Sequence, residues 1–128
     1  ALAQQLHLHH VVFTGERDDV AHCLAQHQVF VLLSEHEGLP ISILEAMRAG
    51  LAILASDLPG LRELLPPPSH GVLVENTPAA VATALQRLLH DGDLRQQLAQ
   101  HARQRYEQAH SPTHMAQAVL NVYRTLAP

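Results

Sequence analysis

No lysine occurs in the chain, and all eight of its basic residues are arginine. That absence excludes a P-loop lysine, a Schiff-base lysine and the lysine of a receiver-type phosphorylation site. The arginines form no run, and the formal net charge is −4. A phosphate-backbone partner such as DNA or RNA is therefore not expected. The one cysteine, Cys23, cannot close an internal disulfide, which fits a reducing compartment. No apolar run reaches membrane-spanning length, and no charged segment followed by an apolar stretch opens the chain. A soluble, cytoplasmic protein is the expectation.

What is present reads as one globular unit. The 128 residues are 47% hydrophobic and 16% charged, enough for a single core but not for two. Four apolar, β-branched stretches predict short strands: "HVVFTG" (10–15), "QVFVLLS" (28–34), "LAILAS" (51–56) and "GVLVE" (71–75). The second is continuous enough to predict a parallel strand buried on both faces. Helices are predicted at 18–26, at 41–49 and as a short turn at 61–65 that stops at Pro66, Pro67 and Pro68. Thr77 and Pro78 form a cap and first turn. Val81, Ala84, Leu85, Leu88 and Leu89 then mark one apolar stripe. A sparser helix is predicted over 93–108. Another begins at Ser111-Pro112 with Met115, Val119, Val122 and Leu126 on one side. Strands alternating with helices predict an α/β domain with a short parallel sheet flanked by helices and right-handed crossovers.

The first residues read as the end of a helix, with no cap and no strand before them, whereas doubly wound domains usually open on a strand and a phosphate-binding turn. An N-terminally truncated domain spanning 1–128 is expected. In open parallel sheets ligands bind at the carboxyl ends of strands. "SEHEGLPISILEAMRAG" (34–50) is such a strand-to-helix step, and it carries Glu37 and Glu45. The N–H groups of Leu39, Ile41 and Ser42 are expected to be unpaired and to favour an anion such as a diphosphate; Pro40 has none to offer. Glu37 is expected to stand beside that anion, and Glu45, in the second turn, to face back toward the same crevice; two such carboxylates suit the hydroxyl groups on both sides of a diphosphate, the layout of a nucleotide sugar.

The segment "EGLPISILEAMRAGLAILASD" resembles the E-x7-E signature of the retaining family 4 glycosyltransferases, with Glu37 and Glu45 as its glutamates. The similarity runs through "VVFTGERDDV", "VFVLLS", "ASDLPGLRELL", "GVLVE" and the closing helices. It implies the C-terminal, donor-binding, Rossmann-like domain of a two-domain GT-B enzyme. By that resemblance Glu37 bonds hydroxyls of the donor hexose at the reaction centre, and Glu45 holds the ribose. The loop residues Gly38 and Leu39, with Ile41 and Ser42, meet sugar and diphosphate, and residues near Thr14 to Arg17 lie by the base. It implies no metal and no cofactor beyond the nucleotide-diphosphate sugar used as donor. It also implies an N-terminal GT-B domain as partner, and it is compatible with peripheral membrane association of the full-length enzyme. The family's basic pair that clamps the diphosphate lies upstream of the matched region. Asp57 stands before "LPG" where members often have a glycine pair, and "HQVFVLL" replaces a common Ala-Asp. The fragment alone is expected to be inactive and to self-associate through exposed edges.

Other readings stand beside this one. A non-catalytic nucleotide-binding or protein-docking module would keep the sheet and lose the chemistry. A receiver-like domain needs a lysine the chain lacks. Arg62 and Glu63 read as surface ion-pair residues more readily than as ligand contacts. His7, His9 and His10 alternate as metal ligands on a strand would, but no fourth ligand has matching spacing. Cys23 reads as a small core residue, Gly50 as a helix C-cap and Gly60 as a turn.

Overall fold

In the computed structural model, which describes residues 2–126, a three-stranded parallel sheet is packed between helices. The elements run α1 (Leu2–Gln5), α2 (Val20–Ala25), β1 (Val29–Leu32), α3 (Ile41–Ala49), β2 (Ala52–Ser56), α4 (Pro59–Leu64), β3 (Val72–Val74), α5 (Pro78–His90) and α6 (Gly92–Arg105). A π-helical turn, Tyr106–His110, then leads into α7 (Pro112–Leu126). The strand order is β1-β2-β3. Val29 pairs with Ala52 in the first ladder, and Leu54 pairs with Val72 in the second.

The central strand β2 is buried along its whole length, and its alternating side chains divide the core in two. Ile53 and Ala55 pack with Ile43, Ala46 and Met47 of α3 and with Leu61 and Leu64 of α4. Ala52 and Leu54 pack on the opposite face with Ala84 and Leu88 of α5. Helix α6 joins both clusters, through Leu98 on the α5 side and Ala102 on the α3 side.

Local chemistry places the helix ends. Thr77 Oγ1 accepts from the Ala80 N–H at 3.3 Å, and Asp91 Oδ1 accepts from the Leu94 N–H at 2.8 Å. Gly50 ends α3 in the left-handed region at φ 73°, where its N–H reaches the Ala46 and Met47 carbonyls, as a C-cap glycine does. Two arginines of α6 finish its neighbours. The Arg95 guanidinium donates to the Leu88 and Leu89 carbonyls of α5, and Arg105 donates to those of Glu63 and Leu64 in α4. Each guanidinium meets carbonyls that a helix end leaves without an intrahelical donor.

Several expectations are corrected. Residues 10–15 form no strand; Val12 and Phe13 are 79% and 77% exposed. β-branched residues favour extended backbone, but a strand also needs a neighbour to complete its hydrogen bonds, and no ladder reaches this segment. Strand β1 is half-buried at the edge of the sheet rather than covered on both faces. Leu89 points away from the α5 stripe and is exposed. Cys23 is half-buried in a helix without a buried residue. Gly60 lies in the first turn of α4, not in a loop. The apolar stripe expected on α7 is present, and Met115, Val119, Val122 and Leu126 are all open to solvent.

Candidate functional site

The exits of β1 and β2 and the start of α3 meet at one end of the sheet. Glu35 to Gly38 follow β1, and Leu58 and Pro59 follow β2. Together they enclose an open hollow of about 320 Å3. Glu37 is half-buried in its wall, and Gly38 and Leu39 are exposed beyond it. Pro40, the residue before α3, is buried and extended, and no side chain caps the helix. Among the described residues the Ile43 N–H reaches the Pro40 carbonyl at 3.1 Å, while no hydrogen bond is made by the N–H groups of Leu39, Ile41 or Ser42. Those donors, with the positive end of α3 behind them, form a surface that favours negative charge.

Side chains from all three strand exits tie this corner together. Ser56, at the end of β2, is 2% exposed. Its hydroxyl accepts from the Ser34 N–H at 2.8 Å and donates to Asn76 Oδ1 at 2.6 Å. Asn76, beyond β3, donates through Nδ2 to the Ser34 carbonyl at 2.8 Å. Ser34 Oγ in turn donates to Glu37 Oε1 at 2.7 Å. Sequence reasoning singled out neither Ser34, Ser56 nor Asn76. The signal available was a small hydroxyl residue at the end of each of two buried strands and an Asn after a third.

The remaining candidates lie outside this hollow. Glu45, in the second turn of α3, is exposed and lines a separate hollow of about 200 Å3 with Ala21, Leu24 and Ala25 of α2 and with Arg48 and Ala49. Glu37 and Glu45 thus line two hollows that share no residue, which corrects the expectation that Glu45 faces the Glu37 crevice: Glu45 lies on the side of α3 that meets α2. Thr14 and Arg17 are in the irregular segment before α2, and both are exposed. Arg17 is engaged through two hydrogen bonds, at 2.7 and 2.5 Å, with Asp19. The hydrogen bond from Arg17 holds the Asp19 carboxyl below the usual carboxylate range. Asp57 receives two bonds from Arg62, at 2.5 and 2.8 Å, and its carboxyl is lowered for the same reason. Arg62 therefore forms a surface ion pair with Asp57, and among the described residues Glu63 forms none.

The histidines near the N-terminus lie in and after the turn that ends α1, with the rings of His7 and His9 6.5 Å apart. Among the described residues no group of three or more His, Cys, Asp or Glu side chains is placed to hold a metal ion. No described helix is long and apolar enough to cross a membrane. A larger hollow of about 420 Å3 lies at the other end of β3, bounded by Pro67, Gly71, Arg87, Leu98 and His101, and shares no residue with the Glu37 corner.

Comparison with known proteins agrees with this geometry. The family model for "Glycosyl transferases group 1" matches residues 1–105. The chain is 33% identical over 128 residues to N-acetyl-alpha-D-glucosaminyl L-malate synthase of Bacillus anthracis, covering 98% of this chain and 32% of the relative. It is 33% identical over 122 residues to phosphatidyl-myo-inositol mannosyltransferase of Mycolicibacterium smegmatis, covering 92% and 31%. Among solved structures it is similar to sucrose-phosphate synthase from Thermosynechococcus elongatus, with a TM-score of 0.89 at 29% identity, covering 98% of this chain and 32% of that one. A glycosyltransferase from Rickettsia africae shares the fold at a TM-score of 0.82 and 19% identity, covering 97% and 34%. The chain thus spans about a third of the length of the relatives it matches. A Rossmann-like sheet with its open helix start at the strand exits, and a family match over most of the chain, lead to one conclusion: the chain belongs to the group 1 glycosyl transferases, with the fold of a GT-B domain.

Proposed function

We propose that the chain is the donor-binding part of a retaining glycosyltransferase that moves a sugar from a nucleotide-diphosphate sugar to an acceptor hydroxyl. One observation carries this reading: the half-buried Glu37 carboxylate stands beside the uncapped start of α3, at the carboxyl ends of parallel strands. The diphosphate would lie on the N–H groups of Leu39, Ile41 and Ser42, with the hexose toward Glu37 and Gly38. Glu45 would accept from the ribose hydroxyls on the α2 side of the helix, and Thr14 and Arg17 would lie by the base. In the transfer the bond from the anomeric carbon to the diphosphate oxygen breaks. A bond to the acceptor oxygen forms on the same face, and the acceptor proton passes to the leaving diphosphate. No residue of this chain is assigned to a metal. The basic pair that neutralises the diphosphate and the acceptor site belong to parts of the enzyme outside this chain, so the 128 residues alone are proposed to be inactive.

Two substitutions in a two-domain enzyme carrying residues 1–128 test the assignment. Glu45→Ala should weaken the free nucleoside diphosphate and the nucleotide sugar alike. Glu37→Gln should lower turnover while leaving nucleoside diphosphate affinity nearly unchanged. A hydrogen bond to a charged group is worth about 1.5 to 3 kcal/mol, so each loss should be about tenfold to a hundredfold in its own observable. Calorimetry with the diphosphate and initial rates decide between outcomes. Equal effects of the two substitutions on diphosphate affinity would overturn the division of labour.

A further inference from the structure

We propose that Ser34, Ser56 and Asn76 form a positioning device that anchors one oxygen of Glu37 and presents the other to the donor sugar. This rests on the functional reading above and adds residues to it.

The argument begins with Ser34. Its backbone N–H donates to Ser56 and its carbonyl accepts from Asn76, so the main chain is held on both sides. Rotation about its side-chain bond is the freedom that remains, and the hydroxyl uses it to donate to Glu37 Oε1. The direction of every bond is determined. The Asn76 amide has its oxygen toward the Ser56 hydroxyl and its NH2 toward the Ser34 carbonyl; the reverse orientation would set the amide oxygen against the Ser34 carbonyl oxygen, two acceptors with no proton between them. The Ser56 hydroxyl, receiving the Ser34 N–H on a lone pair, can send its proton to Asn76. Bonds linked head to tail in this way polarise one another.

A tie between strand exits explains the bonds among Ser34, Ser56 and Asn76, but it does not explain the last one. Glu37 belongs to no strand, and fixing its carboxylate adds nothing to the ladders. Among the described residues no hydrogen bond engages Glu37 Oε2, so the carboxylate has one oxygen held and one available. A carboxylate that must meet a sugar hydroxyl at the reacting carbon gains from such restriction, because reaction depends on the fraction of time the groups are aligned. The network spans all three strand exits, so the orientation of Glu37 is referred to the sheet rather than to its own loop.

The test uses a two-domain enzyme carrying residues 1–128, with Ser34→Ala, Ser34→Thr, Asn76→Asp and Glu37→Gln. Ser34→Ala should lower kcat by about tenfold, the loss of one hydrogen bond to a charged group, while changing nucleoside diphosphate affinity by less than about twofold. Ser34→Thr keeps the hydroxyl and should restore most of the rate. Asn76→Asp sets a carboxylate oxygen against the Ser34 carbonyl and should reproduce the Ser34→Ala pattern. If that variant fails to fold, the Ser34 pair decides alone. Unchanged turnover in Ser34→Ala beside a crippled Glu37→Gln overturns the positioning role alone. A Ser34→Ala defect confined to melting temperature also overturns it, because that is what a purely structural tie would give. Unchanged turnover in Glu37→Gln overturns the functional reading and the device together.

Discussion

Gly60 stands so close to Gly38 that a Cβ built on it would lie 2.9 Å from the Gly38 carbonyl oxygen and 3.4 Å from that of Glu37. The start of α4 is therefore the surface on which the Glu37 loop rests, and only a residue without a side chain leaves room. Gly60→Ala has two opposed consequences. Alanine is favoured over glycine in a helix by up to about 1 kcal/mol. Overpacking against backbone costs about 1 to 3 kcal/mol, and backbone carbonyls cannot rotate aside as a flexible side chain can. The clash is expected to win, with a net loss of stability and a displaced loop that weakens donor binding. Urea unfolding and donor titration check this, and a more stable variant with normal donor affinity would contradict it.

Leu88 and Leu89 are adjacent in α5 but differ completely in burial. Leu88 is fully buried against Leu54 and Leu98, and Leu89 is 61% exposed. Leu88→Ala should cost about 2 to 5 kcal/mol, the range for emptying a packed site. Leu89→Ala should stay within about 0.5 kcal/mol. Equal denaturation midpoints for the two variants would refute the placement of α5 on the sheet.

His110, in the π-helical turn, has its Nε2 enclosed without a hydrogen-bond partner. Burial, assisted by the nearby Arg105 and His114 charges, pushes its pKa below the usual histidine value. The folded protein thus prefers the neutral ring, while the unfolded chain takes up a proton near about pH 6.5. Stability should be fully present above that pH and decline as pH falls toward the lower folded value. Asp57 and Asp19 also titrate low in the folded state, but their window lies below about pH 4. Melting temperatures from pH 7.5 to 5 should therefore fall less steeply for His110→Phe than for the parent. Identical slopes would exclude His110 as the source.

The isolated 128-residue chain is expected to self-associate with increasing concentration. Val12 and Phe13 are exposed, β1 lies at an edge of the sheet, and α7 presents Met115, Val119 and Val122 to solvent. Open edges and contiguous apolar surface both favour association. Sedimentation should show species larger than a monomer, and Val119→Glu with Val122→Glu should reduce them. A strict monomer at high concentration would count against the expectation.

Much of this organisation was legible along the chain because it depends on neighbours in sequence. The boundaries of α3 follow from Pro40 before it and Gly50 after it. The start of α5 follows from Thr77-Pro78, and the burial of β2 from its unbroken apolar run. Glu37 and the helix start beside it were legible for the same reason, since Glu37 lies four residues before Ile41, where α3 begins. The fate of 10–15 was not legible: its composition suits a strand, but a strand exists only when another supplies hydrogen bonds. Nor did the apolar run at 28–34 reveal that β1 would lie at the sheet edge, since hydrophobicity specifies a preference for burial and not the neighbour that provides it. The Ser34–Ser56–Asn76 network is the plainest case. Its members are separated by 22 and 20 residues, and nothing local links them. Parallel pairing in one register brings the three strand exits level, and only then do short polar side chains come within hydrogen-bond reach. Local pattern thus specifies the helical segments and the loop that carries the carboxylate, because caps, turns and apolar stripes act between neighbours in the chain. Bringing Ser56 and Asn76 to the Ser34 that holds the carboxylate depends on the fold, because hydrogen bonds act over about 3 Å and remote residues come that close only when the chain folds.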